Sequence, residues 1–407
     1  MNDPAAPYPL FSAYGIELEY MIVASASLDV LPIADRCLPP PATASREPAP
    51  LLDWSNELVL HVIEVKNPQP QALALLPAAF QDAVQAMNRS LQHAAARLMP
   101  GAMHPWMQPS SETRLWPHEH SDIYRTYDRI FNCRRHGWAN LQSMHVNLPF
   151  ASDSEFVQLH AALRLLLPLL PALAASSPLM EGGATGFADT RMEVYRHNAG
   201  AFTAIAGTLI PEPVCGIQDY RQRILQPMYD AIADADPEGV LRHEWLNSRG
   251  AIARFERNAI EVRVLDMQEC PQADLAIADA VVAVTKMLYR KAVAAQAPFD
   301  TGRLAQVLQA CIRAAEQAVI EDAGYLALLG FPERRCSAGD LWQHLLESLA
   351  PGELSVASRS VLDTIRHRGT LARRLLRALA GDYRHAPLRM VYQELCNCLQ
   401  HGRQFQP

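Results

Sequence analysis

The chain has 407 residues, 49% apolar and 19% charged, enough for a sizeable core in one large domain or two ordinary ones and too apolar for disorder. A formal net charge of −7 offers no basic surplus for a polyanion, so nucleic acid is not an expected partner, although a nucleotide bridged by metal ions needs no such surplus. The start, MNDPAAPYPLF, lacks the basic head and apolar run of a secretory signal, and no uncharged stretch reaches membrane-spanning length, so the expectation is a cytoplasmic protein with no membrane partner.

The first predicted element is a strand over residues 13–24 containing GIELEY. Side chains alternate along a strand, so Glu17 and Glu19 share one face while Ile16, Leu18 and Tyr20 take the other. Two acids that close repel, which leaves a cation held between them or a face open to water. Residues 31–51, with PPPATASREPAP, read as a surface loop because proline supplies no ladder donor. A second strand is predicted over 59–67, in LVLHVIEVKN, stopped by Pro68. It carries Glu64, with Glu57 just before it. These two differ by an odd number, so either a bulge intervenes or Glu57 belongs to the preceding turn.

A helix is predicted over 71–98, then an irregular, polar and aromatic segment over 103–138 of the kind that lines sites. Within it His118 and His120 fit a polar loop better than a metal. Trp106, Trp116 and Tyr124 fit packing better than stacking on an adenine. The third strand, 139–148, carries His145 and Asn147 on one face. A helix capped by Ser152 or Asp153 follows, running to about Ala174; its apolar run AALRLLLPLLPALAA contains Arg164 and two prolines and reads as buried in the core. After SSPLMEGGATGFADTR, helix is expected near 218–235, and a fourth strand, AIEVRVLDM over 259–267, carries Glu261 and Arg263. The charged run Arg254, Glu256, Arg257 before it fits contact with a nucleotide less well than a surface charge run. From about residue 273 amphipathic helices dominate. The eight cysteines show no paired framework, as for reduced thiols, and Cys396, Cys398 and His401 form a zinc-like fragment without a local fourth ligand.

No Gly-rich phosphate turn follows a strand, and polar residues sit inside the strands. Antiparallel pairing in an α+β fold, with helices on one face of the sheet and a polar opposite face, is therefore expected in place of a doubly wound parallel sheet. The polar face is rich in carboxylates, with one imidazole, one amide and one arginine. Hard oxygen donors of this kind suit Mg²⁺ or Mn²⁺, and paired ions can bridge nucleotide phosphates during phosphoryl transfer. Arg263 would be the cation for a transferring phosphoryl group or a substrate carboxylate.

The ordered set GIELEY, NELVLHVIEVKNPQP, LQSMHVNLPF, LMEGGATGFADTRMEVYR and NAIEVRVLD, over roughly residues 12–270, resembles the glutamate–cysteine ligase family and its carboxylate–amine ligase relatives, which share the catalytic fold of glutamine synthetase. The resemblance implies a sheet curved into a half-barrel that binds ATP and Mg²⁺, within a catalytic region 1–270; the helical region 271–407 is expected to pack on it, as a separate lobe or as part of one single domain. It implies metal ligation by Glu17, Glu19, Glu57, Glu64, His145 and Glu261. Asn147 and Arg263 match catalytic contacts to phosphate or acyl phosphate, with His145 beside the nucleotide. Arg191 and Tyr195 match substrate-pocket residues. The implied reaction phosphorylates an amino-acid carboxylate, glutamate first, and lets an amine attack to give an amide. Segments 103–138 and 181–187 would close the site or merely connect elements.

Nothing marks a cysteine pocket, so another amine is as well supported as cysteine. The C-terminal helices carry no family motif, and a homo-oligomeric state is left open. A phosphagen-type phosphotransferase on the same fold, or a non-catalytic regulator that binds nucleotide or amino acid, are the alternatives.

Overall fold

A computed structural model describes residues 8–38 and 50–407. Seven strands form the main sheet: β1 (Gly15–Ala24), β2 (Asp53–Asn56), β3 (Val62–Lys66), β4 (Ala96–Met99), β5 (Ser143–Pro149), β6 (Ala251–Arg254) and β7 (Ala259–Asp266). They are ordered β2-β3-β1-β5-β7-β6, with β4 paired to the far end of β1. Every pairing is antiparallel, and the sheet is curved but unclosed.

The alternation in β1 sorts its two faces. Ile16, Leu18, Tyr20 and Ile22 are fully buried in the main core with Ile63 and Val65 of β3 and Met144, Val146 and Leu148 of β5. The helices α1 (Leu76–Leu91), α2 (Ser121–Phe131), α3 (Asp153–Leu166), α4 (Thr190–Tyr195) and α5 (Pro271–Tyr289) follow in chain order. Helix α1 turns Leu76, Phe80, Val84 and Leu91 into that core, and α5 packs against α1 and α3. The opposite face of the sheet is divided. At one end Met21, Val23, Val62 and Met99 meet Leu371, Leu375, Tyr392 and Leu395 of the last two helices. At the other end it is polar.

Several boundaries differ from the sequence reading. Residues 59–67 are not one strand: β3 begins at Val62, and a separate short strand, β2, precedes it. The helix expected over 71–98 ends at Leu91; Ala95 takes a left-handed φ of 50°, and Ala96–Met99 pairs with β1 instead. Tertiary pairing overrides helix propensity there, and the Asn88 side chain accepts from Leu98 N at 2.8 Å to fix the crossing. The third strand starts at Ser143, because His136–Ala139 forms a helical turn. Strand β6, with four residues, is too short for a readable period.

Ser152 is the cap of α3, its hydroxyl accepting from Glu155 N at 3.2 Å. The helix breaks before Pro168, and buried Arg164 donates to the carbonyls of Pro211 and Phe299, each at 2.9 Å. Part of the Pro/Ala-rich loop expected over 31–51 lies outside the described residues; within them Ala34–Cys37 forms one helical turn. Among the described residues no helix is long and apolar enough to cross a membrane.

Candidate active site

Register brings the acids together. Across β1 and β5 Glu17 faces His145 and Gly15 faces Asn147; across β1 and β3 Glu19 faces Glu64 and Glu17 faces Lys66; across β5 and β7 Asn147 faces Glu261. Direct antiparallel partners share a face with Cβ atoms about 5 Å apart, so a spacing of two within each strand becomes a patch across the sheet. Glu17, Glu19, Glu64, His145, Asn147 and Glu261 are all buried. Glu57 lies just beyond β2, in the connection to β3, and this resolves its odd offset from Glu64.

Ligand atoms of Glu17, Glu64 and His145 lie within 4.8 Å of one another, as do those of Glu19, Glu57 and Glu64. Glu64 is common to both groups, the arrangement of a carboxylate shared between two cations. The charge balance points the same way. Burial, then repulsion from Glu64 and Glu19, pushes the Glu57 carboxyl well above its usual range. Burial and Glu17 raise Glu64, with Lys66 opposing them. Burial acts against the Glu17 carboxylate too, but its hydrogen bond to His145 at 3.1 Å and the charges of His145, Lys66 and Arg257 hold it low. Carboxylates crowded enough to push one another up, with one imidazole, fit Mg²⁺ or Mn²⁺.

Around this set lie residues that the sequence reading passed over. Ser143 donates its N–H and hydroxyl to Glu19 Oε2 at 2.7 and 3.0 Å and contacts His145 Nε2 at 2.9 Å. Lys66 is ion-paired with Glu64, which also accepts from Ser55 Oγ at 2.9 Å. Ser143 and Lys66 obey the same spacing by two as their neighbours, so that rule would have found them. Arg254 and Arg257 are not free surface charges: Arg254 binds Glu261 Oε2 at 2.7 Å and Arg257 binds Glu17 Oε1 at 3.0 Å. Their role depends on how the β6–β7 turn folds over the sheet, which no local pattern encodes.

Arg263 donates Nε to Glu261 Oε1 at 2.8 Å. Burial opposes its charge, and Glu261, then the phenols of Tyr195 and Tyr127, more than offset it. In β7 Arg263 and Val264 stand opposite the single residue His145, a bulge. Because of it Asp266 faces Ser143 on the polar side, where it takes Arg191 Nε at 2.5 Å. Arg191 is 2% exposed, and its remaining donors reach the Arg263 carbonyl at 3.3 and 3.4 Å. It therefore braces the strand behind Arg263, with its fork already occupied. Tyr195, at the end of α4, is the half-buried member of that pair.

Of the other candidates Tyr124 borders the acidic cluster, and the rest stand apart. The Tyr124 hydroxyl accepts from Asn56 Nδ2 at 3.1 Å, and burial and Glu57 push the phenol up to about 12. Trp116 is buried, and Trp106 packs on His104, His385 and Tyr392. His118 lies 3.4 Å from Asp35. Cys396 and Cys398 are buried, His401 is bonded to the Asn397 carbonyl, and none of them joins a metal-capable group among the described residues.

A cleft of about 510 Å³ opens at the polar end of the sheet, lined by Gly15, Glu17, Lys66, Asn147 and Arg257 among others. Asn147 is 6% exposed, and its Oδ1 has no hydrogen-bond partner. A Cβ at position 15 would meet Asn147 Cβ at 3.1 Å, which explains the glycine there. A cavity of about 550 Å³ among the C-terminal helices shares no residue with the acidic patch.

The sequence model of glutamate-cysteine ligase family 2 matches residues 13–394. The chain belongs to that family. The match continues far beyond residue 270, so the helices after it are part of the family 2 chain although they carry no motif of their own. This family 2 member is 36% identical over 232 residues to an uncharacterized protein of Archaeoglobus fulgidus, covering 57% of this chain and 62% of that one. It is 28% identical over 233 residues to a glutamate–cysteine ligase of Halobacterium salinarum, covering 56% of each. The match thus spans less than two thirds of the length of these relatives. In structure the family 2 chain is similar to the glutamate–cysteine ligase of Francisella tularensis, solved in complex with AMP, at a TM-score of 0.67 and 12% identity, with 97% of this chain and 90% of that one covered. That likeness shows the fold.

Proposed function

We propose that the protein is an ATP-dependent ligase that converts an amino-acid carboxylate, glutamate first, into an acyl phosphate and joins it to an amine, cysteine or another, as an amide. The single observation that carries this reading is the Glu64 carboxylate common to two potential cation groups, one of which includes Glu17 of the cleft wall. Family membership favours a ligase over the phosphagen-type transferase and the binding-only regulator. The AMP bound to the Francisella tularensis enzyme and the name of the Halobacterium salinarum relative agree with it.

In this reading Glu17, Glu19, Glu57, Glu64 and His145 would hold the metal ions, while Glu261, expected among them from sequence, lies in neither group and has its two oxygens on Arg263 and Arg254. Mg²⁺, or Mn²⁺, supplies charge screening between the attacking carboxylate and the γ-phosphate. Asn147, whose amide donates to Glu17 Oε1 at 3.3 Å, stands beside the nucleotide, with His145 adjoining. Arg263, kept charged and aimed by Glu261, stabilises the negative charge gathered on the transferring phosphoryl and later on the leaving phosphate. Arg191 steadies Arg263 through the strand backbone, and Tyr195 borders the substrate. A carboxylate oxygen attacks the γ-phosphorus and ADP departs. The amine nitrogen then attacks the acyl carbon, phosphate departs, and the nitrogen gives up a proton. Water must be kept out between the two steps. Segments 103–138 and 181–187, joined by His136 and Glu181 at 3.1 Å, are suited to that.

The test is ADP release with Mg²⁺, ATP, glutamate and a panel of amines, followed by mass detection of the amide. ADP that appears only when both carboxylate and amine are present supports the ligase. Absence of amide with every amine, or a stable phosphorylated guanidinium product, overturns it.

A further inference from the structure

Besides Arg254 and Arg263, which both hold Glu261, two further cations stand among the acids, on carboxylates of the potential metal groups. Lys66 projects from β3 on the same face as Glu64, directly across from Glu17, and its ammonium is ion-paired with Glu64. Arg257 reaches Glu17 from the β6–β7 turn at 3.0 Å. Both line the cleft, as does Asn147. Their side chains are 30% and 47% exposed, so each has open space beside it on the cleft side. Each also occupies a carboxylate that belongs to a potential metal group: Glu64 to both groups, Glu17 to one. A divalent ion and an ammonium on one buried carboxylate repel strongly, so the two occupants exclude each other.

We propose, resting on the ligase reading above, that Lys66 and Arg257 are exchangeable counter-ions. Without metal they neutralise Glu64 and Glu17; when divalent ions take those carboxylates, both swing into the cleft and grip the phosphates of the nucleotide. The two side chains suit the second task differently. Lys66 is a compact charge on a flexible stem, and Arg257 a fork that matches phosphate oxygens. Metal and nucleotide binding are then coupled, each strengthening the other by the same factor.

The experiment measures Mn²⁺ binding by electron paramagnetic resonance, and binding of the non-hydrolysable analogue AMP-PNP by calorimetry, on the full chain. The proteins compared are wild type, Lys66→Met, Lys66→Arg and Arg257→Met. Without nucleotide, Lys66→Met should bind Mn²⁺ about tenfold tighter, the factor one neighbouring charge imposes on a carboxylate, and Lys66→Arg should match wild type. With saturating Mn²⁺, Lys66→Met and Arg257→Met should each bind AMP-PNP about tenfold more weakly. The proposal fails if Lys66→Met binds Mn²⁺ no tighter than wild type, or if both Met variants keep wild-type affinity for AMP-PNP. Arg257→Met alters a half-exposed residue, so that arm does not depend on the folding of Lys66→Met. A wild-type protein that takes up neither Mn²⁺ nor AMP-PNP would overturn the ligase reading and this proposal with it.

Discussion

Glu19 and Glu64 face each other directly across the β1–β3 ladder, two buried acids in a position where like charges destabilise a sheet. Their surroundings offset only part of this. Ser143 donates twice to Glu19, and Lys66 and Ser55 attend Glu64. A sheet keeps such a pair when it gains charge neutralisation from elsewhere, and Glu64 belongs to both potential metal groups.

Glu64→Gln should therefore lower the number of Mn²⁺ ions bound and reduce metal-dependent ADP release by about 100-fold or more, since both groups lose their common ligand. Titration of free Mn²⁺ reads the first effect. An unchanged ion count would leave Glu64 with no bridging part.

Glu57 sets a pH dependence in metal-free protein. Its carboxyl is raised by burial first and then by Glu64 and Glu19, so the folded state favours the protonated form. A raised folded value means the associated stability is present below the ordinary glutamate value of 4.5 and is lost as pH rises through the folded value. In EDTA the melting temperature should fall across that window, Glu57→Gln should flatten the fall, and Mg²⁺ should do the same in wild type. Parallel pH profiles for wild type and Glu57→Gln would count against the assignment.

For Arg263→Lys the expected loss in ADP release is about 100-fold with little change in melting temperature. A lysine keeps the charge but cannot hold Glu261 at 2.8 Å and the Asn247 carbonyl at 3.3 Å while presenting donors to phosphate. Steady-state turnover at saturating ATP decides it; wild-type rates would demote the residue.

Arg191 and Asp266 form a buried ion pair, and Asp266 also accepts from Ser176 N and Ser177 Oγ, both at 2.8 Å. Arg191→Met should cost about 3–5 kcal/mol in urea unfolding, because Asp266 is left buried and uncompensated. Arg191→Met combined with Asp266→Leu should cost less than the sum of the single changes. Additive losses would show that the two do not act as a unit.

Ser143→Ala removes a hydroxyl that touches both Glu19 and His145. Mn²⁺ affinity should fall about tenfold, as when a group that orients ligands is lost, with the fold intact by circular dichroism. Unaltered affinity would reduce Ser143 to packing.

Period-two alternation is local, so the sequence alone assigned Glu17 with Glu19, His145 with Asn147, and Glu261 with Arg263 to common strand faces, and the carboxylate-rich composition pointed to hard cations. Lys66 and Ser143 were legible by the same rule. Tertiary structure decided the rest. Cross-strand register set Glu17 against His145 and Glu19 against Glu64, and the connection after β2 carried Glu57 to the cluster despite its odd offset. The β7 bulge turned Asp266 toward Arg191, and the β6–β7 turn brought Arg254 and Arg257, read from sequence as surface charges, onto Glu261 and Glu17. The physical reason is that the pleat fixes which side a residue faces from its neighbours in sequence, whereas turns, bulges and register are fixed by hydrogen bonds and packing between segments far apart in the chain.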